Sequence, residues 1–239
     1  MENDKKNVFI HPSAIIYPNV ILDDNVYVGP NCIIGEPTSS YYKSENRSEY
    51  EFMKTEIGEG SILRAGTIIY EGTRIGKNFQ TGHNVTIREK TIIGDNCSVG
   101  TLGDVQKECI LGNFVRLHSN VFLGEYTKIN NYVWIFPHVV VTNDKYPPMD
   151  NLTPCFIDEY AIVSAGAILL PGVKIGKNSL VAAGSIVSKD VEDYHFVKGT
   201  PSKDCGRVEN IKDNGKDVYP WKDHLNEYRG YPWQEKIEE

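Results

Sequence analysis

A small set of polar side chains in this sequence is able to carry out proton transfer at one site. The set contains three histidines, one glutamate and an Asn–Asp pair, namely His83, His118, His138, Glu125, Asn143 and Asp144. Imidazole and carboxylate groups accept and donate protons, and a carboxylate or amide oxygen holds an amine in the orientation that attack requires. These residue types therefore favour a group-transfer reaction in which a nucleophile must give up a proton.

A six-residue repeat is the element that must position these side chains. Aliphatic residues recur at every sixth position in three runs, 10–34, 57–141 and 157–187, and Thr81 is the one exception. Repeats of this kind are typical of solenoids, in which each unit buries its apolar face against its neighbours. Each hexad supplies one short strand and one corner, so three hexads predict a triangular coil of 18 residues. Neighbouring coils are expected about 4.8 Å apart.

The residues around each aliphatic position predict how the coil turns and how it is filled. Glycine often follows the aliphatic residue, as at Gly58, Gly94 and Gly112, which indicates corners with a positive φ. The fourth residue after the aliphatic one is usually small. Cys32 and Cys109 occupy this position and are expected to be core residues.

The 18-residue period predicts that the acidic candidates are neighbours. Glu125 and Asn143 are 18 residues apart, so they stack in one column with a separation of about 4.8 Å. Asp144 follows Asn143 directly. These three residues therefore form one polar set at one corner of the prism.

A second polar set is predicted at another corner of the same two coils. It contains His118 and His138, and Asn120 shares the column of His138. Asn84 lies in that column as well, two coils before Asn120. One subunit does not easily bring two corners together, so the two sets favour three subunits packed around a threefold axis, with a corner of one facing a corner of the next.

Two interruptions and a change of composition divide the chain. The repeat breaks at 36–56 and at 143–156, which we predict to be loop insertions, and loops that leave a regular scaffold often carry function. Residues 9–205 form the predicted β-helix domain. Residues 206–239 form a tail that caps its open end, with a short helix predicted over 222–228.

Composition excludes several classes of protein. The chain has 239 residues, of which 40% are hydrophobic and 24% charged, and its net charge is −7. These values exclude a disordered or collagen-like chain, and the acidic balance argues against a nucleic-acid partner. No apolar run approaches the roughly 18 residues of a membrane helix, so no membrane partner is expected. Because the sequence shows no secretory signal, we expect a cytoplasmic location and reduced cysteines.

The hexad pattern over 9–205 resembles the hexapeptide-repeat acyltransferases. This resemblance implies an all-β fold, a left-handed parallel β-helix, and a homotrimer with active sites between subunits. It also implies acetyl-CoA or another acyl-CoA as co-substrate. The run Thr81-Gly82-His83-Asn84 looks like the His-[Asp/Asn] hexad that carries the general base in several members. His83 is therefore a candidate base and Asn84 a candidate substrate contact, although His83 lies two coils, roughly 10 Å, before the level of Glu125.

A narrower resemblance covers 117–125 and 134–148, and it is to N-acetyltransferases acting on dTDP-linked 3-amino-3,6-dideoxyhexoses. In those enzymes a Glu, and an Asn–Asp pair at the same offset, bind the amino sugar, which implies this role for Glu125, Asn143 and Asp144. Some of them use no protein base and pass the proton to the coenzyme sulfur. A histidine base and a substrate-assisted mechanism therefore both stay open. The substrate contacts expected at the other corner are His118, Asn120 and His138.

Coenzyme A is expected in a groove toward the C-terminal coils. Two pairs of small residues, Ala165-Gly166 and Ala183-Gly184, lie 18 residues apart, and their size lets a pantetheine arm approach the backbone. Lys189 and Lys203 are the candidate phosphate contacts.

The predicted function is that of an acyl-CoA-dependent N-acyltransferase acting on the amino group of a nucleotide-linked amino-deoxysugar. An O-acetyltransferase with a small hydroxyl acceptor is the nearest alternative, and a non-catalytic assembly solenoid is another. A zinc protein like the γ-class carbonic anhydrases needs three convergent histidines, two of them five residues apart. Leu123 stands five residues after His118, so no metal is expected. The sequence leaves open whether C3 or C4 of the sugar carries the amine, the nucleobase, the acyl length and the role of 36–56.

Overall fold

Each aliphatic position of the repeat lies on a short strand, and successive strands turn through corners to form the sides of a triangular prism. The computed structural model describes residues 7–217. Their architecture is a parallel β-solenoid with very little helix, which confirms the predicted all-β fold and agrees with the left-handed β-helix of hexapeptide repeats.

Each strand of the prism contains the hexad position that the repeat predicts, and most strands end there. Before the first insertion they are β1 (Phe9–Ile10), β2 (Ile15–Ile16), β3 (Val20–Leu22), β4 (Tyr27–Val28) and β5 (Ile33–Glu36). Between the insertions they are β6 (Thr55–Ile57), β7 (Ile62–Leu63), β8 (Ile68–Tyr70), β9 (Arg74–Ile75), β10 (Gln80–Thr81), β11 (Thr86–Ile87), β12 (Ile92–Ile93), β13 (Ser98–Val99), β14 (Asp104–Val105), β15 (Ile110–Leu111), β16 (Arg116–Leu117), β17 (Phe122–Leu123), β18 (Lys128–Ile129), β19 (Trp134–Ile135) and β20 (Val140–Val141). After the second insertion they are β21 (Phe156–Ile157), β22 (Ile162–Val163), β23 (Ile168–Leu169), β24 (Lys174–Ile175), β25 (Leu180–Val181) and β26 (Ile186–Val187).

Every third strand joins the same side of the prism, which gives three parallel sheets. Sheet A begins with β1 and β4, sheet B with β2 and β5, and sheet C with β3 and β6. Between the insertions the register is 18 residues, so that Gln80 lies beside Ser98. We name the corners A/B, B/C and C/A after the sheets that they join. Residues 82–85, 124–127 and 130–133 are one example of each.

The hexad positions fill the interior of the prism. Ile87, Leu123 and Val163 have no exposed surface. The small residues four positions later are buried too, including Cys32 and Cys109, as predicted. Burial raises the pKa of the Cys109 thiol to about 12, which fits an inert core residue. Thr81 is the one hexad residue that is not aliphatic. Its buried hydroxyl has a hydrogen-bond partner in the core, the hydroxyl of Thr67 at 2.9 Å.

The prediction that glycines after the aliphatic residue adopt a positive φ is wrong for most of them. The left-handed residue stands two positions further along and is commonly asparagine, as at Asn78 and Asn96 (φ 55° and 57°). The glycines are needed for a different reason: the backbone of the next coil lies too close to leave room for a side chain. A Cβ on Gly94 would lie 2.7 Å from the carbonyl oxygen of Gly112, and one on Gly58 would lie 2.5 Å from the carbonyl carbon of Gly76.

The first insertion, which was predicted to be a loop, contains a short helix. It holds α1 (Ser39–Lys43) and a 3-10 turn at Arg47–Glu49. The carboxylate of Glu71 is fully buried beneath it. It accepts hydrogen bonds from the backbone N–H groups of Thr38 at 3.0 Å and Met53 at 2.9 Å, and from the hydroxyl of Tyr50. These donors compensate for the burial of the carboxylate and hold the insertion against corner B/C.

The second insertion leaves from corner B/C as well, between β20 and β21. Its two ends are joined where the N–H of Thr153 donates to the carbonyl of Asn143 at 2.7 Å. The parallel register then resumes, with Val141 beside Leu169.

The last described residues close the C-terminal end of sheet A. Strand β27 (His195–Lys198) pairs with β25, and β28 (Lys203–Arg207) turns back antiparallel along β27. A 3-10 turn at Val208–Asn210 and the short pair β29 (Lys212–Asp213) and β30 (Lys216–Asp217) follow. The helix predicted over 222–228 lies outside the described residues.

The core assignment predicts a large cost for Leu123→Ala. Leu123 is fully buried, so the lost packing should lower the free energy of unfolding by about 2–5 kcal/mol. Leu102→Ala is the matched control, because Leu102 is 54% exposed at a corner, and its effect should stay within about 0.5 kcal/mol. Urea unfolding followed by circular dichroism measures both, and equal effects in the two variants would contradict the assignment.

Candidate active site

Five of the predicted catalytic and substrate-binding residues lie at corner A/B. His83 and Asn84 follow β10, His118 and Asn120 follow β16, and His138 follows β19. Asn84, Asn120 and His138 are the left-handed residues of their corners, with φ between 53° and 61°. Coil stacking holds them in line, since the N–H of His138 donates to the carbonyl of Ser119 at 3.1 Å.

His83 has a fixed backbone and an exposed side chain. Its N–H donates to the hydroxyl of Thr101 at 3.2 Å, and its carbonyl accepts from the N–H of Leu102 at 2.9 Å. The next coil therefore anchors the main chain on both sides. The imidazole is exposed at the same corner as the other two predicted histidines.

His118 is half-buried among aromatic rings. Its imidazole stacks on Trp134 and on Phe136, with ring centroids 5.8 Å and 5.0 Å apart. Burial, and secondarily the positive charge of Arg116, lower the pKa of His118. The neutral imidazole is therefore favoured, and it is able to accept a hydrogen bond or a proton.

The second polar set lies at corner B/C. The side-chain amide of Asn143 donates to the carbonyl oxygen of Glu125 at 3.4 Å, in agreement with their 18-residue spacing. The carboxylate of Glu125 lies 3.4 Å from the ammonium of Lys107. Lys107 is not among the residues predicted from the sequence, although the 18-residue spacing places it in the column of Glu125. Both charged groups of this pair are about one-third exposed or less, so a substrate is able to reach the carboxylate.

Asp144 stabilises the second insertion. Its carboxylate accepts hydrogen bonds from the backbone N–H groups of Tyr146 at 3.2 Å and Met149 at 3.0 Å. The first of these contacts is the turn that an aspartate forms with the residue two positions later. The structure thus gives Asp144 a local role in shaping the loop beside Glu125 and Asn143.

The small-residue pairs proposed for coenzyme A lie at corner A/B, on the C-terminal side of His138. The N–H of Gly184 donates to the carbonyl of Ala165 at 2.9 Å, so the two pairs are stacked. All four residues are exposed, and a Cβ on Gly166 or Gly184 would meet nothing within 4 Å. The surface along this corner is therefore open, and we refer to it as the small-residue groove.

The two predicted phosphate contacts are at different corners. The hydroxyl of Thr200, in the turn before Lys203, donates to the carbonyl of Gly184 at 3.3 Å, so Lys203 follows a turn packed on corner A/B. Lys189 follows β26 and therefore lies at corner B/C. The structure brings only Lys203 near the small-residue groove of the same chain.

Within one chain, sheet B separates the two polar sets. The first is able to accept a proton through His83 or His118, and the second presents the carboxylate of Glu125. Across residues 7–217, no three His, Cys, Asp or Glu side chains are close enough together to hold a metal ion. The same part of the chain contains no helix that is long and apolar enough to cross a bilayer.

Comparison with known proteins points to one class. The family model for the bacterial transferase hexapeptide (six repeats) matches residues 5–36 and 72–101. A galactoside O-acetyltransferase of Lactococcus lactis is 33% identical over 142 residues, which are 53% of this chain and 66% of that enzyme. A 2,3,4,5-tetrahydropyridine-2,6-dicarboxylate N-acetyltransferase of Clostridium perfringens is 48% identical over 64 residues, which are 27% of this chain and 26% of that enzyme. This chain thus spans less than two thirds of either relative.

A solved structure agrees with the fold. The UDP-N-acetylglucosamine acyltransferase from Campylobacter jejuni superposes with a TM-score of 0.56 at 15% identity, covering 86% of this chain and 79% of that one. A triangular parallel solenoid of six-residue repeats defines the class of hexapeptide-repeat proteins. The matched repeats and the acyltransferase relatives show that the chain is similar to the hexapeptide-repeat transferases.

The environment of His118 predicts the effect of Arg116→Gln. Removing this cation should raise the pKa of His118, because protonation of the imidazole would no longer be opposed by a neighbouring positive charge. Titration of the imidazole ¹³C–¹H signals by NMR measures the shift. Lys128→Gln is the control, because Lys128 is an exposed cation on sheet C, and it should leave the pKa unchanged. A fall in the pKa of His118 in Arg116→Gln would contradict the assignment.

Proposed function

We propose that the protein is an acyl-CoA-dependent N-acyltransferase and that its acceptor is the amino group of a nucleotide-linked amino-deoxysugar. The observation that carries this proposal is the pairing of Glu125 with Asn143 at corner B/C, at the start of the second insertion. The acyltransferase relatives support the reaction class. The resemblance of 117–125 and 134–148 to dTDP-amino-sugar N-acetyltransferases supports the acceptor.

Glu125 is the residue proposed to orient the amine. A carboxylate accepts hydrogen bonds from an amino group, and it holds the nitrogen lone pair toward the thioester carbonyl. Lys107 lies 3.4 Å from this carboxylate and fixes its position before substrate arrives. Asn143 binds the backbone of Glu125, and Asp144 shapes the adjoining loop. The proposed roles therefore divide into one contact with the amine, made by Glu125, and three positioning contacts, made by Lys107, Asn143 and Asp144.

The proposed step is direct attack in a ternary complex. The amine nitrogen forms a bond to the acyl carbon, and the negative charge that develops on the carbonyl oxygen needs a donor, for which a backbone N–H is suited. The carbon–sulfur bond then breaks, and coenzyme A leaves as the thiol. The amine proton passes either through His83 to the sulfur or to the sulfur directly.

The two corners are proposed to meet between subunits. In this arrangement corner B/C of one subunit, with Glu125, faces corner A/B of its neighbour, with His83, His118 and His138. The open groove beside Ala165 and Gly184 would then lead coenzyme A to the same place. A homotrimer satisfies this geometry, because each subunit contributes both corners once.

Glu125→Gln should reduce kcat/KM for the amino sugar. Loss of a hydrogen bond to a charged group costs about 1.5–3 kcal/mol, which corresponds to roughly 10- to 150-fold in rate. Asn143→Ala should reduce kcat/KM in the same direction. Glu159→Gln is the matched control, because Glu159 forms a similar ion pair with Lys177 at 2.9 Å, but at corner C/A. Equal activity of Glu125→Gln and Glu159→Gln would contradict the role of Glu125.

A free-thiol assay with acetyl-CoA and a panel of acceptors tests the function itself. The panel contains dTDP-3-amino- and dTDP-4-amino-6-deoxyhexoses, a UDP-amino sugar, serine and a free galactoside. We expect thiol release only with a nucleotide-linked amine. The similarity to a galactoside O-acetyltransferase makes a hydroxyl acceptor the second candidate. Release with the galactoside or serine alone would keep the acyltransferase class and overturn the N-acyltransferase proposal.

A further inference from the structure

A polar cavity lies on the outer face of sheet A beside corner A/B. Its volume is about 330 Å³, and its lining includes Arg64 at one end and Arg116 with His118 at the other. None of the roles proposed above uses the two arginines. The cavity lies on the N-terminal side of His118, whereas the small-residue groove proposed for coenzyme A lies on the C-terminal side of His138.

The cavity exists because two successive coils carry small side chains where their neighbours carry large ones. At the corner, the two positions between Arg64 and His118 in the same column are both glycine. On sheet A, Ser98 in β13 lies beside Arg116 in β16. The resulting gap extends over three interstrand spacings, about 14 Å. The residues along the two columns are Arg64, Gly82, Gly100 and His118, and Gln80, Ser98 and Arg116.

Both ends of this gap are cationic. The guanidinium of Arg64 points along the cavity and donates to the carbonyl of Thr81 and, at 3.4 Å, to the side-chain oxygen of Gln80. These two bonds use part of the five N–H donors of a guanidinium. The guanidinium of Arg116 lies over the ring of Trp134, 5.5 Å from its centroid.

The cavity is a local exception to the charge of the chain. The net charge of the sequence is −7, yet the described residues that line the cavity include two arginines and no aspartate or glutamate. Hydroxyl groups of Ser98, Thr101 and Ser119 add neutral donors. Cations at both ends with hydroxyls between them suit an elongated anion with several oxygen atoms.

The geometry points to a subsite for the diphosphate of a nucleotide, bound between Arg64 and Arg116. Two substrates of the proposed reaction contain a diphosphate, namely the nucleotide-linked sugar and coenzyme A. The position of the cavity, on the opposite side of His118 from the small-residue groove, assigns it to the sugar nucleotide. That assignment rests on the proposed function, whereas diphosphate binding itself does not require acyl transfer.

Isothermal titration calorimetry with inorganic pyrophosphate and with dTDP tests the subsite. Arg64→Gln and Arg116→Gln should each weaken binding at least roughly tenfold, as expected for a lost charge-assisted hydrogen bond. Arg74→Gln removes the same charge from an exposed position on sheet C and should leave binding unchanged. Affinity should also fall as salt rises, because the contacts are ionic. Equal affinity for both ligands in wild type and in both cavity variants would overturn the proposal.

A second pair of variants guards against loss of the fold. Ser98→Glu places a carboxylate in the cavity and leaves both arginines in place, so it should abolish pyrophosphate binding. Ser98→Gln is similar in size and neutral, and it should retain more of the affinity. Equal binding by these two variants, with unchanged thermal unfolding, would show that the charge of the cavity is irrelevant and would overturn the subsite.

Competition distinguishes the two sources of diphosphate. If the cavity serves the sugar nucleotide, dTDP and pyrophosphate should compete with each other, and coenzyme A should bind Arg64→Gln as tightly as wild type. Selective loss of coenzyme A binding in Arg64→Gln would overturn the assignment to the sugar nucleotide. Tight pyrophosphate binding in a protein that transfers no acyl group to the acceptor panel would reject the proposed function and keep the subsite.

Discussion

The stacking of one coil on the next in an 18-residue register is the constraint on which this structure depends. Backbone hydrogen bonds between coils enforce it, such as the bond of 2.7 Å from the N–H of Gly100 to the carbonyl of Leu117. The interstrand spacing leaves no room for a Cβ where two corners touch, and each corner needs one left-handed residue to turn the chain. Glycine meets the first demand at Gly58 and Gly94, and asparagine meets the second at Asn78 and Asn96.

Because of this stacking, residues that are 18 apart in sequence lie in one column, and side chains interact mainly with others of the same column. Ion pairs at 18-residue separation recur at the corners, as between Lys107 and Glu125 or between Lys177 and Glu159. Partly exposed pairs of this kind contribute only about 0–1 kcal/mol each. Replacing an exposed charged residue at a corner therefore costs little stability, whereas replacing a core residue of the same coil costs much more. A scaffold with this division is suited to carrying different acceptor sites on one fold.

The two insertions show where such a scaffold tolerates departure from its period. Both leave from a corner, which is corner B/C in each case. A loop that interrupted a strand would break the hydrogen bonds to the neighbouring strands on both sides. The first is held down by the buried carboxylate of Glu71, whose hydrogen bonds compensate for its desolvation. The second begins at Asn143, which stays in the column of Glu125 although the loop has left the coil. The candidate site thus lies at the boundary between regular coil and loop.

The sequence by itself determined the coil, its register, the core positions and the columns that join Glu125 to Asn143. It could do so because a six-residue period converts directly into position on a triangular prism. Four features required the tertiary structure. Helix α1 lies in a segment without period, and its place depends on contact with Glu71 from a later coil. Asp144 was expected beside the substrate, but its bonds to Tyr146 and Met149 depend on how the loop folds. The reason for the corner glycines is the distance to the next coil. The cavity between Arg64 and Arg116 forms because the two intervening coils carry small residues at the corner. Such a gap becomes a cavity only when the coils on both sides of it are stacked in register.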